Sequence, residues 1–174
     1  GHGSIALEVL EQLPEVEAII VPIGGGGLIS GIAYTLKMLK PECKVYGVQA
    51  AGAGSMYYSI ENHRRTELPA VHTFADGTAV KMPGENTFAL CEKYVDRIVT
   101  VTDDEIATAI LTLMERQKLV AEGAGALSVA AAMFKKLPIE GKKTVCIVSG
   151  GNIDVNILSR VILSLIHISE PTRH

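Results

Sequence analysis

Four consecutive glycines, Gly24, Gly25, Gly26 and Gly27, stand between a short apolar segment and a helical pattern. The apolar segment, residues 16–23, is typical of a buried strand, and the apolar spacing from Leu28 onward predicts a helix. Because glycine has no Cβ, such a turn bends tightly and lets its N–H groups approach a ligand. The following helix N-terminus adds N–H donors and a positive dipole end. We therefore predict an anion site, most naturally for a phosphate.

The spacing around these glycines argues against two common nucleotide sites. The G-x-G-x-x-G pattern of dinucleotide-binding folds does not occur here, and no acidic residue ends the next predicted strand at Gln49. A P-loop would need Gly-Lys-Ser/Thr after the turn, and this chain lacks it. A tight strand–helix connection without a ligand remains an alternative, as does a non-catalytic phosphate- or nucleotide-binding module.

Composition and charge narrow the class of protein. The 174 residues are 48% hydrophobic and 20% charged, which suits one substantial globular core. A net charge of −3 without a basic block argues against nucleic acid as a partner. The three cysteines have no metal-ligand spacing and suit a reducing, cytoplasmic setting. Residues 18–36 contain no charge, but Pro22 and the glycines argue against a membrane span.

Four predicted strands alternate with helices along the chain. The predicted strands cover residues 16–23, 44–49, 97–101 and 143–148, and the predicted helices cover 4–13, 28–39, 55–60, 83–94, 103–118, 122–136 and 152–162. This order predicts an α/β fold, a mostly parallel twisted sheet with helices on both faces. Thr102 and Glu105 form a capping box for one helix, so we give the acids there no catalytic role.

Two special turns follow strands at the carboxyl edge of this sheet, where ligands collect in such folds. The glycine turn offers backbone donors to an anion, and Ser149, at the start of Ser149-Gly150-Gly151-Asn152, offers a hydroxyl. An anion site at one end and a hydroxyl at the other suit a flat phosphorylated cofactor.

The last residues, 163–174, differ in character from the rest. The run from Leu163 to Arg173 is similar to the translation of a transposase sequencing-library adapter. We therefore predict a non-native tail at 163–174 and a partial catalytic domain at 1–162, and we exclude the tail from functional reasoning.

Five segments of the sequence resemble one enzyme family in order and spacing. They are Gly1-His2-Gly3-Ser4-Ile5-Ala6-Leu7-Glu8, Val21-Pro22-Ile23-Gly24-Gly25-Gly26-Gly27-Leu28, Ala75-Asp76-Gly77-Thr78-Ala79-Val80, Glu122-Gly123-Ala124-Gly125-Ala126 and Ser149-Gly150-Gly151-Asn152. The chain resembles the L-threonine dehydratase (threonine ammonia-lyase) family of fold type II pyridoxal-phosphate enzymes. The likeness runs from Gly1 to about Ile162.

The resemblance implies pyridoxal 5'-phosphate as cofactor and a role for each matched position. The four glycines and the Leu28 amide would bind the phosphate, and Ser149 would hydrogen-bond the pyridine nitrogen. Gly77 would lie near the ring. Glu122 is either a helix N-terminal charge or part of the active-site wall. The implied reaction is elimination of the threonine hydroxyl to give 2-oxobutanoate and ammonia, in threonine catabolism or isoleucine biosynthesis, by a cytoplasmic homo-oligomer.

The sequence also departs from the family pattern. No lysine stands in the Ser-x-Lys-x-Arg-Gly-like context of the Schiff-base lysine, so we expect no catalytic residue and no dehydratase activity from this chain alone. Gln49 and Ser55 stand where serine racemase has cation-binding carboxylates, so we expect no metal. Serine dehydratase, serine racemase and cysteine-synthase relatives remain alternatives.

Overall fold

A sheet of five strands organises the molecule, with strand order β3-β2-β1-β4-β5. The computed structural model describes residues 3–149 and 155–158, without the side chains of Asp76, Ser149 and 155–158. The strands are β1 Ala18–Pro22, β2 Lys44–Ala50, β3 Arg97–Val101, β4 Thr144–Ser149 and β5 Val155–Leu158. The helices are α1 Gly3–Gln12, α2 Gly27–Leu39, α3 Ser55–Asn62, α4 Glu85–Tyr94, α5 Asp103–Gln117 and α6 Leu127–Met133. Short 3₁₀ turns cover Ala51–Ala53, Asp76–Thr78 and Ala124–Ala126.

Strands β1 to β4 run parallel, and β5 runs antiparallel to β4. All five residues of the central strand β1 are buried. A strand covered on both faces reads as a continuous apolar run rather than an alternating one, which explains the apolar segment before the glycines.

Alternate side chains of each strand enter two different cores. Ile19 and Val21 pack with α1, α2, α3 and α4 on one face of the sheet. Ala18 and Ile20 pack with α5 and α6 on the other face. Successive strand residues point to opposite faces, so one apolar strand serves both cores. The predicted α/β fold, with a mostly parallel sheet and helices on both faces, is confirmed.

The order of the strands reverses beside β1. The chain proceeds outward from β1 to β2 and β3, with its connecting helices on the α2 face, and then returns through α5 and α6 on the other face to β4. The point between β1 and β4 is therefore a topological switch point, where a crevice opens beyond the carboxyl ends of the strands.

Helix α5 begins with the predicted capping box. The Thr102 hydroxyl accepts from the Glu105 N–H at 3.2 Å, and the Glu105 carboxylate accepts from the Thr102 N–H at 2.9 Å. These two bonds satisfy two N–H groups that the helix itself leaves unpaired. The acids of the first turn therefore have a structural role.

Two predicted helices differ from the structure. The helix predicted at 122–136 is a 3₁₀ turn followed by the shorter α6, since Gly123 and Gly125 weaken an α-helix there. The helix predicted at 152–162 is wrong at Val155–Leu158, which pairs with β4 as a strand because the parallel edge of β4 offers unpaired backbone groups. The rest of that segment, and the tail at 163–174, lie outside the described residues. Within the described part of the chain, the helices are too short or too polar to cross a bilayer.

Candidate functional site

A cavity of about 210 Å³ lies at the carboxyl edge of the sheet, beside the switch point. The predicted phosphate-binding residues, together with Gly77 and Glu122, all line it. The lining consists of Pro22, Gly24, Gly25, Gly26, Gly27, Leu28, Gly77, Thr78, Glu122 and Ala124. Three segments that are distant in sequence thus meet at one place, and the binding roles of their residues stay predictions.

Two of the glycines are required by their surroundings. Gly26 has a φ of 101°, which disfavours any residue with a Cβ. A Cβ on Gly26 would lie 2.8 Å from Met56 Cε and 2.9 Å from Thr87 Cβ, and one on Gly24 would lie 3.1 Å from the Gly77 carbonyl oxygen. Gly24 and Gly26 therefore let the loop pack closely on its own protein.

The other two glycines face open space. A Cβ on Gly25 or Gly27 would meet no atom within 4 Å, and both residues are exposed. Packing within this chain does not explain the lack of side chains at these two positions. A ligand that approaches the backbone does explain it, because a Cβ there would occupy the space that the ligand needs.

The loop also ends in free helix donors. Gly26 is the N-cap of α2 and has no side chain to cap it, and Ser30 makes a helical bond back to the Gly26 carbonyl at 3.0 Å. The N–H groups before Ser30 in the first turn have no acceptor within the helix. Together with the positive end of the helix dipole, they suit an anion.

The glycine loop forms the first wall of the cavity. The second wall belongs to the long connection at residues 63–84, which contributes Gly77 and Thr78. Its backbone is held by the His72 N–H, which donates to the Gly52 carbonyl at 2.8 Å. The Thr73 hydroxyl donates to Asp103 Oδ1 at 2.6 Å. Gly77 then lies against a third wall, formed by Glu122 and Ala124. A Cβ on Gly77 would be 3.1 Å from Ala124 Cβ.

The third wall contains Glu122, just before the 3₁₀ turn. Its carbonyl accepts from the Ala126 N–H at 3.1 Å, while its side chain is exposed at the cavity. The sequence allowed two interpretations of Glu122, a helix N-terminal charge or part of the active-site wall. Its position at the cavity agrees with the second. Its contact with a ligand stays a prediction.

Ser149 is the last residue of β4 and lies at the same edge. Ile20 of β1 pairs with Cys146 of β4, so three residues further along each strand Ile23 and Ser149 reach the same level. The glycine turn begins directly after Ile23, so this turn and Ser149 lie at the ends of neighbouring strands. The side chain of Ser149 is not described, and its predicted hydrogen bond stays a prediction.

Sequence reasoning missed the contact between Thr87 and the glycine loop. Its hydroxyl donates to the Gly25 carbonyl at 2.7 Å, from 62 residues further along the chain. A single threonine in an amphipathic helix gives no signal of such a contact. Thr78, Pro22 and Ala124 also line the cavity, although only their neighbours had been singled out.

Gln49, near the end of β2, and Ser55, the first residue of α3, are buried and do not line this cavity. Gln49 Oε1 accepts from the Tyr57 N–H at 2.8 Å, which leaves Gln49 Nε2 as a buried donor without a partner. Ser55 Oγ is likewise buried without a partner. A donor nitrogen does not coordinate a cation, and no cluster of metal-ligating side chains occurs among the described residues.

The three cysteines are buried and lie outside the cavity lining. Burial raises the pKa of Cys43 to about 11, and it raises the pKa of Cys91 and of Cys146 to about 12. The thiols are therefore protonated at neutral pH, and none of them has the thiolate character of a nucleophile.

Comparison with known proteins agrees with this geometry. Residues 1–150 match the family described as pyridoxal-phosphate dependent enzyme. The chain is 52% identical to the L-threonine ammonia-lyase of Thermotoga maritima, over 93% of this chain and 40% of that protein. It is 44% identical to the catabolic L-threonine dehydratase TdcB of Escherichia coli K12, over 92% of this chain and 50% of that protein.

Solved structures give the same fold. The T.th. threonine deaminase superimposes with a TM-score of 0.81 at 36% identity, over 88% of this chain and 58% of that one. The maize serine racemase also gives a TM-score of 0.81 at 36% identity, over 88% of this chain and 49% of that one. The chain belongs to the pyridoxal-phosphate dependent enzyme family. It spans about half the length of the relatives it matches.

Proposed function

We propose that this chain is part of a pyridoxal-phosphate-dependent threonine ammonia-lyase, which converts L-threonine to 2-oxobutanoate and ammonia. The observation that supports it most directly is the pair Gly25 and Gly27, whose missing side chains leave open space in front of a helix N-terminus. The relatives at 52% and 44% identity are both named for threonine. The cavity residues fit the cofactor of this family, since a Cβ at either glycine would fill the cradle.

Each cavity wall has a role in this proposal. The N–H groups of the glycine loop and of Leu28 bind the phosphate, and the Ser149 hydroxyl hydrogen-bonds the pyridine nitrogen. Gly77 leaves room beside the ring, and Glu122 forms part of the active-site wall. When bound, pyridoxal phosphate supplies an electron sink for elimination of the substrate hydroxyl. A neutral hydroxyl at position 149 does not hold the pyridine nitrogen protonated as a carboxylate would.

The nucleophilic lysine is not supplied by the residues that line the cavity. No lysine of the chain has the family's Ser-x-Lys-x-Arg-Gly-like context. We therefore propose that residues 1–162 are a partial catalytic domain, that 163–174 are non-native, and that this chain alone binds the cofactor without a covalent bond. Assayed with threonine, the 174-residue chain is expected to release no 2-oxobutanoate.

Cofactor titration of glycine variants tests the proposed site. Gly25→Ala and Gly27→Ala are each expected to weaken pyridoxal phosphate binding at least about tenfold, because the new methyl group displaces the ligand from its donors. Binding is measured by absorbance and by equilibrium dialysis. Gly54→Ala is the matched control, since its Cβ makes only contacts of 3.5 Å or more outside the cavity.

Two results would contradict the proposal. If Gly25→Ala binds the cofactor as tightly as the parent chain, the cavity is not the cradle. If the parent chain does not bind pyridoxal phosphate but binds ATP in calorimetry, a nucleotide-binding module is the better interpretation.

Serine-directed chemistry is the second candidate, because the maize serine racemase superimposes as well as the threonine deaminase does. The threonine assignment rests on sequence identity. Supplying the parent enzyme with L-threonine or L-serine, and quantifying 2-oxobutanoate against pyruvate, separates the two. We also propose that the full-length enzyme is cytoplasmic and homo-oligomeric. Repeating the same assay with added amino-acid end products separates a biosynthetic from a catabolic role.

A further inference from the structure

Thr87, in the first turn of α4, contacts the glycine loop and is not among the residues that line the cavity. Its hydroxyl donates to the Gly25 carbonyl at 2.7 Å, and the Gly84 carbonyl lies at 3.2 Å. A hydroxyl has one proton, so the shorter contact to Gly25 is the principal bond. Thr87 Cβ also lies 2.9 Å from where a Cβ of Gly26 would stand.

This hydrogen bond fixes the orientation of one peptide plane. In a trans peptide the C=O of Gly25 and the N–H of Gly26 point in opposite directions. The carbonyl is held toward α4, so the N–H of Gly26 points away from α4. Gly25 and Gly26 line the cavity and Thr87 does not, which favours a Gly26 N–H directed toward the cavity.

Among the described residues, the Thr87 hydroxyl is the hydrogen-bond donor that the structure shows for the Gly25 carbonyl. A peptide between two glycines rotates readily, because neither residue has a Cβ to restrict it. A rotation would turn the Gly25 carbonyl, with its partial negative charge, toward the cavity. The site would then present an acceptor where an anion needs a donor.

We propose that Thr87 is a positioning residue, which presets the Gly26 N–H to donate to the phosphate of the cofactor. The inference rests on the proposed function. Thr87 touches neither the cavity nor a ligand and acts only through the Gly25–Gly26 peptide. Its effect is therefore confined to the phosphate end of the cofactor.

Three ligands and three variants test this role. Thr87→Val removes the hydroxyl and keeps the shape, and Thr87→Ser keeps the hydroxyl. Thr108→Val is the matched control, since the Thr108 hydroxyl donates to a carbonyl of its own helix, Asp104 O, at 3.0 Å and lies outside the cavity. Calorimetry measures the affinities for pyridoxal phosphate, inorganic phosphate and pyridoxal, and ³¹P NMR reports the environment of the bound phosphate.

We expect Thr87→Val to weaken pyridoxal phosphate and inorganic phosphate by about tenfold, the effect of losing one well-placed hydrogen bond to a charged group. The ³¹P shift of the bound cofactor is expected to move toward that of the free cofactor. Affinity for pyridoxal, which has no phosphate, is expected to stay unchanged. Thr87→Ser and Thr108→Val are expected to match the parent chain in all three affinities.

The outcomes distinguish this inference from the proposed function. If the parent chain binds neither pyridoxal phosphate nor phosphate, both fail. If it binds them and Thr87→Val binds equally well with an unchanged ³¹P shift, only the role of Thr87 fails. An equal loss of pyridoxal binding, or loss of the folded circular dichroism spectrum in Thr87→Val, would assign Thr87 a general structural role and overturn the inference.

Discussion

The glycine loop and the connection at residues 63–84 line the same cavity, but they are held in place in different ways. The loop follows directly from its own residues, a strand, four glycines and a helix start. The connection has one short 3₁₀ turn, Asp76–Thr78, and depends on bonds to distant partners, Gly52 and Asp103. One wall is thus specified locally and the other by tertiary contacts.

This difference separates two kinds of evidence about a site. A wall made mainly of local geometry is visible in the sequence, although a distant residue, Thr87, adds a hydrogen bond to it. A wall held by distant bonds is sensitive to residues that never touch the ligand. Long connections without regular structure are often functional for this reason.

The largest effect is expected from Gly26→Ala, which attacks the locally specified wall. The substitution combines a φ of 101° with a Cβ 2.8 Å from Met56 Cε and 2.9 Å from Thr87 Cβ. We expect the free energy of unfolding to fall by about 3 kcal/mol, from backbone strain and overpacking together. Urea unfolding measures it.

Gly27→Ala is the control for that measurement, because its Cβ meets no atom within 4 Å. Its free energy of unfolding is expected to stay within about 0.5 kcal/mol of the parent value. Equal losses in the two variants would show that the loop is not divided into packed and open glycines.

A smaller effect is expected when the connection loses its anchor at Asp103. Asp103→Ala removes the acceptor of the 2.6 Å bond from Thr73, and Asp104→Ala removes an acid from the same helical turn without touching that bond. Both lose a favourable charge at the helix N-terminus. The free energy of unfolding of Asp103→Ala is therefore expected to be about 1 kcal/mol lower than that of Asp104→Ala.

Hydrogen exchange locates that effect. Amides at 72–78 are expected to exchange faster in Asp103→Ala, while the hydrogen-bonded amides of α2 from Ser30 onward stay protected. If both variants protect 72–78 equally, the Thr73 bond does not hold the connection and the contrast between the two walls fails.

The smallest effect near neutral pH comes from the buried thiols, which belong to neither wall. Folding raises the pKa of Cys43 from 9.0 to about 11, and that of Cys91 and Cys146 to about 12. The folded state therefore favours the protonated thiols. This stability is fully present below about pH 9 and is lost as the pH rises toward the folded values.

The midpoint of urea unfolding, measured at pH values between about 7 and 10, tests this effect of the thiols on stability. Hydrogen exchange is expected to increase in both walls together, because ionisation of the buried thiols lowers the global stability of the protein rather than that of one wall. Cys146→Ala is expected to flatten the decline above about pH 9, because one buried thiol no longer titrates. A selective loosening of the 63–84 connection at high pH would contradict this.

Much of the fold followed from local patterns. The β3 strand has the predicted bounds, Arg97–Val101, and Thr102 and Glu105 form the predicted cap, because both signals lie within a few residues. The glycine turn was visible for the same reason. Strand alternation with helices then fixed the parallel sheet, so the carboxyl edge and its residues could be placed.

What the sequence could not supply depends on distant contacts. Thr87 meets Gly25 only because α4 packs beside α2, and no local pattern records that packing. Val155–Leu158 becomes a strand because β4 offers an edge, whereas local spacing favoured a helix. The turn at Ala124–Ala126 replaces the predicted helix start because Gly123 and Gly125 weaken an α-helix there.

The three walls of the cavity also have a consequence for how the protein folds. They come from segments between Pro22 and Ala124, so the cavity is complete only when residues far apart in the sequence have come together. Such distant closures are the slow events of folding. A ligand that needs all three segments recognises the finished molecule alone, so its capture should mark the end of folding and delay the first step of unfolding.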